Sequence, residues 1–397
     1  MSENNIYENL LGLAHLKVDA VAIGERKIEI SCHISVQSGS CVCCAKSTTK
    51  IHQYTHRRLQ DLTIVGKEVY LDIRVPQFHC DDCNRYFSYD LPFADSHKSY
   101  THRQARWIFE LCHQQPFTEV GALVNKSHQT VEDIYFAEAE KRIDVAERFK
   151  QVRKLGIDEI SNKKGKGDYC CVLTDLERGI QLDILPDRKK ATIIAYFKQL
   201  GDAFCDQIEV VSCDIWEPYI LAARECFKNA TISLDHFHII KALNESLDAT
   251  RKSLRKAYPK VEEYKKIKWL LFKKPQNCTE DERTILQNAF QKSITLEQVY
   301  IHRNRFHDIY KTSQNASEMA QRLDEWTTIA SKLESPVLDK FVKTVRNWNE
   351  NIASFADTYV TNAVTEGLNN LIRHIKRISF GMPNFEHLRL RLLVRST

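Results

Sequence analysis

Polar and apolar positions change period several times along the chain, and each change marks a different kind of element. Val69-Tyr70-Leu71-Asp72-Ile73-Arg74-Val75 alternates, which predicts strand. From Thr101 to Gln114 the apolar residues Ala105, Ile108, Phe109 and Cys112 recur at helical spacing. Phe117 to Val124 reads as a short second helix and Asn125-Lys126 as a turn. Ser127 then N-caps a third helix, with Val131, Ile134, Tyr135 and Ala137 on one face. Beyond residue 150 the pattern becomes short, mainly apolar runs: Leu155 to Ile160, Tyr169 to Leu173, Gly179 to Leu185, Ile208 to Cys213 and Thr231 to Leu234. Helical segments at about Lys190 to Leu200 and Trp216 to Cys226 separate the later ones. From roughly 240 to 355 the period is helical throughout.

Three strands in a meander, a helix, a strand, a helix and a strand is the order of an RNase H-like fold. In that fold the first and fourth strands are neighbours. Asp158 lies within the first run and Asp214 ends the fourth, so the two acids are expected to approach each other. A carboxylate on a buried strand is costly unless something compensates it. Two of them at adjacent strand ends call for a cation. The expected class is multi-domain α/β, with boundaries at 1–95, 96–150 and 151–397 and an all-α insertion at about 240–355 in the last part.

The chain has 13 cysteines, an odd number. Met1-Ser2-Glu3-Asn4-Asn5 lacks the basic start and apolar stretch of an export signal. Every apolar run is broken by charge well short of the ~20 residues that span a membrane. The expected compartment is the cytoplasm, on the nucleoid when DNA is bound. Disulfides are then disfavoured and thiolate–metal ligation is the first reading of paired cysteines. Cys41 and Cys44 form one C-x2-C pair and Cys80 and Cys83 another, which together complete the tetrahedral sulfur site of structural zinc. Two hairpins clasping one ion form a zinc ribbon, and Asp81 and Asp82 add negative charge beside it. Cys43 is a rival to Cys44 as ligand, and four unmetallated cysteines are the alternative. The other eight cysteines read as small core hydrophobes.

Residues 96–150 resemble a helix-turn-helix in which Ser127, His128, Gln129 and Thr130 open the helix that reads bases. The usual turn glycine is missing, and a plain three-helix unit is the alternative. Charge points to a polyanion. Residues 371–397 hold six basic residues against Glu386, and Arg251 to Lys274 holds ten against Glu262 and Glu263. A solvated helix face is the other reading of the second cluster. Lys376, Arg377, Arg389 and Arg391 are candidate phosphate contacts.

An ordered set of motifs carries a resemblance over nearly the whole chain. It runs Gly156-Ile157-Asp158-Glu159 with Lys163-Lys164-Gly165, Ser212-Cys213-Asp214, Asp235-His236-Phe237-His238, Asn362 to Asn369, and Ile375 to Gly381. With the cysteine pairs and helix-turn-helix ahead of it, the chain resembles an insertion-sequence DDE transposase of the ISL3 family. The resemblance implies that Asp158, Asp214 and Glu366 are the catalytic acids, and that they hold Mg²⁺ or Mn²⁺. Asp235 and His238 match a D-x2-H signature and are assigned active-site support. Two Mg²⁺ ions about 3.5–4 Å apart suit phosphodiester cleavage, and carboxylate oxygens are the ligands they prefer. The implied partners are double-stranded DNA, as terminal inverted repeats and as target, and further copies of the chain. A DNA-binding regulator with a retired catalytic domain and another RNase H-like nuclease are the competing readings.

Overall fold

The computed structural model describes residues 3–163, 167–333, 335–379, 382 and 384–395. Lys164 and Gly165 of the first motif, and Phe380 and Gly381 of the last, lie outside the described residues. Two compact units are present. One runs up to Ile143 and also includes Ile375–Arg395; the other is Asp144–His374.

The first unit opens on helix Glu3–Leu11 and continues with strands β1 (Leu16–Ile23), β2 (Lys27–Ile34), β3 (Gly39–Ser40), β4 (Ser47–Thr48), β5 (Ile51–Ile64), β6 (Lys67–Cys80) and β7 (Arg85–Ser88). The main sheet has the order β1-β2-β6-β5, with β7 also on β6, while β3 and β4 pair separately. The alternation read in the sequence governs β6: Val69, Leu71, Ile73 and Val75 are buried, whereas Asp72 and Arg74 face solvent. Burying each such side chain stabilises the fold by about 1.5–3 kcal/mol.

Three helices follow, His102–Leu111, Phe117–Val124 and His128–Glu140. Their core contains Ile108, Phe109, Val120, Val131 and Tyr135. The turn between the second and third helices solves its geometry without a glycine of its own. Asn125 takes the left-handed conformation, φ 52° and ψ 50°, which asparagine tolerates. Gly121 supplies the space: a Cβ there would lie 2.7 Å from the carbonyl oxygen of Lys126. The helix Phe385–Leu393 packs on this core through Leu390 and the adjoining Val394. Residues 375–395 therefore belong to the unit of the N-terminal segment, whereas the sequence pattern grouped them with residues 151–374.

The second unit is built on β8 (Lys154–Lys163), β9 (Asp168–Asp175), β10 (Ile180–Leu185), β11 (Val210–Cys213) and β12 (Thr231–Leu234). Their order is β10-β9-β8-β11-β12. The first three strands are antiparallel, and β11 runs parallel to both β8 and β12. This is the RNase H-like topology expected from the element order, with the predicted helices at Lys190–Leu200 and Glu217–Cys226. An all-helical segment runs from His236–Ala257 through Phe355–Thr358, with no strand among its described residues. It starts a few residues earlier than the periodicity suggested, because Asp235 takes the N-cap position directly after β12. Helix Ala363–Ile378 then returns to the sheet. Gly156 lets it approach: a Cβ at 156 would lie 2.7 Å from Leu176 Cδ2 and 3.0 Å from Thr365 Oγ1.

Gly121→Ala should destabilise the three-helix unit by about 1–3 kcal/mol, because the new methyl meets rigid backbone. Native-state hydrogen exchange is the check. Faster exchange of amides in 117–140 with β8–β12 unchanged is expected; unchanged exchange in both contradicts the close packing.

Candidate functional site

Four thiolates meet at the tips of two hairpins. Cys41 and Cys44 lie on the turn joining β3 to β4, Cys80 ends β6, and Cys83 lies on the turn joining β6 to β7. All four Sγ atoms lie within 4.8 Å of one another. The Cys44–Cys80 Sγ separation is 3.7 Å, close to the ~3.8 Å edge of a tetrahedron whose metal–sulfur bonds are about 2.3 Å. Backbone N–H groups of Cys44 and Cys43 pull the Cys41 thiol down to about 7, while hydrogen bonding to the neighbouring sulfurs and burial push the Cys83 thiol up. Each turn ends in a left-handed residue, Ala45 or Asn84. Cys43 is exposed and outside the four-sulfur group, so geometry selects Cys44 over it. Asp81 and Asp82 point to Lys50 and Lys46, at 2.9 and 2.7 Å. These solvent-exposed pairs link the two turns and contribute little energy.

On the three-helix unit, Ser127 caps the third helix by accepting a hydrogen bond from the Thr130 amide at 3.1 Å. Ser127, His128 and Gln129 are exposed and Thr130 is half-buried. The C-terminal cations separate into different roles. Arg377 is exposed and Lys376 half-buried. Arg389 lies 3.3 Å from Glu386. Arg391 corrects the sequence reading. It is 1% exposed, donates to the Cys112 carbonyl at 2.7 Å and stacks its guanidinium over Phe117 at 4.6 Å. A cation enclosed in this way is a packing element of the helix unit and cannot meet phosphate.

In the second unit, the parallel register of β8 and β11 sets Ile157 beside Cys213, so Asp158, within β8, and Asp214, just past the end of β11, come next to each other. Asp158 is buried. Burial and the negative charge of Asp214 push its carboxyl up to about 7. Its Oδ1 accepts from the Glu159 amide at 2.7 Å and its Oδ2 from Asn369 Nδ2 at 2.7 Å. Asp235, at the end of β12, accepts from the Asn362 amide at 3.2 Å. His238 Nδ1 lies 2.9 Å from Asp235 Oδ2 and 2.8 Å from Asp214 Oδ1. One N–H cannot satisfy both. It is shared between the two carboxylates, and Asp214 Oδ1 has no other hydrogen-bond donor. Burial opposes protonation of His238, but its two acidic neighbours outweigh that and hold it up to about 10.

Asp214, Asp235 and His238 present ligand atoms within 4.8 Å of one another. Glu366 stands in the first turn of helix Ala363–Ile378 with its side chain exposed. It lies four residues after Asn362 and three before Asn369, hence on the helix side that carries both. An open cleft of about 210 Å³ borders the acids, lined by Glu159, Arg188, Asp214, Trp216, His238 and Lys241 among others. Arg188 ion-pairs with Glu159 and lies over the rings of Tyr169 and Trp216, at 4.1 and 4.2 Å.

A family model described as a transposase, of the ISL3 group, matches residues 155–392, more than half of the chain. The chain belongs to the ISL3 transposase family. Two further models agree with the N-terminal architecture. The zinc-finger of transposase IS204/IS1001/IS1096/IS1165 matches residues 37–83, and the helix-turn-helix domain of transposase family ISL3 matches residues 90–135. The transposase for insertion sequence element IS1001 of Bordetella parapertussis is 24% identical over 401 residues, 99% of this chain and 98% of that protein. The transposase for insertion sequence element IS1557 of Mycobacterium tuberculosis is 24% identical over 342 residues, 79% of this chain and 76% of that protein.

This transposase thus carries a structural-zinc ribbon and a DNA-binding helix-turn-helix ahead of its α/β unit. Sequence reasoning passed over Asn362 and Asn369, uncharged residues that hold the acids, and the Arg188–Glu159 pair. A polar stripe at 362, 365 and 369 on one helix face was the available signal, since all three side chains are buried.

Elemental analysis of the purified transposase should find about one zinc per chain, the capacity of a four-thiolate site. Cys80→Ser should abolish that zinc and loosen the β3–β4 and β6–β7 turns, as metal binding is coupled to folding in such sites. Zinc-free wild-type protein, or full zinc in Cys80→Ser, would contradict the assignment.

Proposed function

We propose that this transposase binds the ends of its insertion sequence and performs metal-dependent strand cleavage and strand transfer with Asp158, Asp214 and Glu366. The observation that carries the reading is the 2.7 Å hydrogen bond from Asn369 to Asp158. It ties the helix bearing Glu366 to the strand bearing the first acid, next to the second.

The residues present fit a divalent cation. Asp214 offers an oxygen whose one nearby donor, His238, is shared with Asp235, and Asp158 resists ionisation because it is buried beside the charge of Asp214. Oxygen ligands from carboxylates match Mg²⁺ or Mn²⁺. Ions held there would activate a water or a 3′-hydroxyl and stabilise the leaving oxygen. The chain's own groups do the positioning. Asn369 and the Glu159 amide fix the Asp158 carboxylate. His238, anchored by Asp235, holds a positive charge against Asp214. The exposed start of helix His128–Glu140 presents His128 and Gln129 for base contact, with Arg377 for phosphate. Joining two element ends requires at least two copies of the chain on DNA, in the cytoplasm where that DNA lies.

A retired catalytic domain that only regulates is separated from this reading by nicking of a supercoiled plasmid carrying the element ends. With Mg²⁺ or Mn²⁺ the wild type should nick. Asp158→Ala should fall by roughly 10²–10³-fold or more while keeping DNA affinity. Asn369→Ala should lose about 10–100-fold in apparent Mg²⁺ affinity for nicking, recoverable in part at high Mg²⁺. Nicking by Asp158→Ala at the wild-type rate would end the assignment.

A further inference from the structure

A second cleft adjoins the acidic one. It encloses about 630 Å³, within the ~300–1,000 Å³ range of ligand sites. Helix His236–Ala257 lines one side with Phe237, Lys241 and Lys252. Lys268, Trp269 and Phe272 also line it. Lys241 and Glu245 border this cleft and also the one beside Asp214 and His238, so the two share this part of the helix as a wall.

The lining is unusual for a surface that has no ligand. Trp269 is 71% exposed and Phe237 53% exposed. Tryptophan is highly buried in most folds, and burying an aromatic ring is among the larger gains available to a core. Rings left in water beside lysines match a platform that stacks bases and attracts their backbone. The surrounding stretch, Arg251 to Lys274, holds ten basic residues against two acidic ones, although Arg251 is buried on Asp248 and Lys252 pairs with that same carboxylate, which also lines the cleft. Duplex DNA hides its base faces within the stack and gains nothing from such rings, whereas an unpaired strand exposes them. Glu245 at the shared rim repels phosphate but accepts hydrogen bonds from exocyclic base amines.

We infer that this cleft binds an unpaired DNA strand, stacking its bases on Trp269 and Phe237 next to the carboxylates. The inference rests on the cleavage reading above for the purpose of the strand, but its binding chemistry does not. Unpaired nucleotides at a cut end would be held there while their phosphate faces the acids.

The test uses full-length protein in buffer with Ca²⁺ and no Mg²⁺ or Mn²⁺, with a labelled short oligo-dT strand and a matched random-sequence duplex as probes. Wild type should bind oligo-dT. Trp269→Ala should weaken it about tenfold, and Trp269→Phe should recover most of the loss. Duplex affinity should be the same in all three proteins. Photocrosslinking of oligo-dT carrying 5-iodouracil should label the peptide containing Trp269 or that containing Phe237. Three results overturn the inference: no oligo-dT binding by wild type, equal oligo-dT binding by Trp269→Ala, or a parallel loss of oligo-dT and duplex binding. Because binding is read without cleavage, the strand site stands or falls separately from the role of Asp158. Absence of nicking alongside Trp269-dependent oligo-dT binding would remove the cleavage reading and leave the cleft.

Discussion

Two carboxylates forced together at the end of a hydrophobic sheet are the constraint on which the second unit turns. Parallel pairing of β8 with β11 leaves Asp158 and Asp214 no choice but proximity. Burial denies Asp158 water, and the negative charge of Asp214 raises the cost of ionising it further. The surroundings answer that cost in part. Asn369 and the Glu159 amide donate to Asp158, and the protonated His238 stands against Asp214 with Asp235 behind it. The compensation is incomplete, since Asp214 Oδ1 has only the His238 N–H that it shares with Asp235. An incompletely neutralised acidic pair in a cleft is suited to take up a dication, and marks where chemistry is expected.

The same sheet explains why the distant helix matters. Glu366 is separated from Asp158 by the whole helical segment, yet Gly156 permits helix Ala363–Ile378 to lie against β8. Asn362, Thr365 and Asn369 form the polar line that the helix turns toward the strand ends. A helix anchored by amides holds its register, and a neighbouring exposed acid inherits that position without being buried itself.

Much of this was legible before any coordinates. The five strands and the order of helices in the second unit follow from short apolar runs whose length and flanks distinguish strand from helix. The four zinc thiolates follow from spacing, although the long β5–β6 hairpin between the pairs hid how the turns are brought together. Burial of charge was not legible. Arg391 reads as surface phosphate-binding charge in a basic tail, but its helix turns it under Tyr135 and Phe117, where ring faces and a carbonyl replace water. The amides at 362 and 369 escaped notice because they carry no charge to attract attention. The missing turn glycine was a false concern, since Asn125 takes the left-handed position and Gly121 supplies the clearance.

The central claim is that acids far apart in the chain converge on metal. Anomalous diffraction from crystals grown with Mn²⁺ and DNA reads that convergence directly. The account predicts manganese bound by carboxylate oxygens of Asp158, Asp214 and Glu366 together. Manganese held only by Asp235 and His238, or a Glu366 carboxylate turned away from a metal that Asp158 and Asp214 do bind, would contradict it.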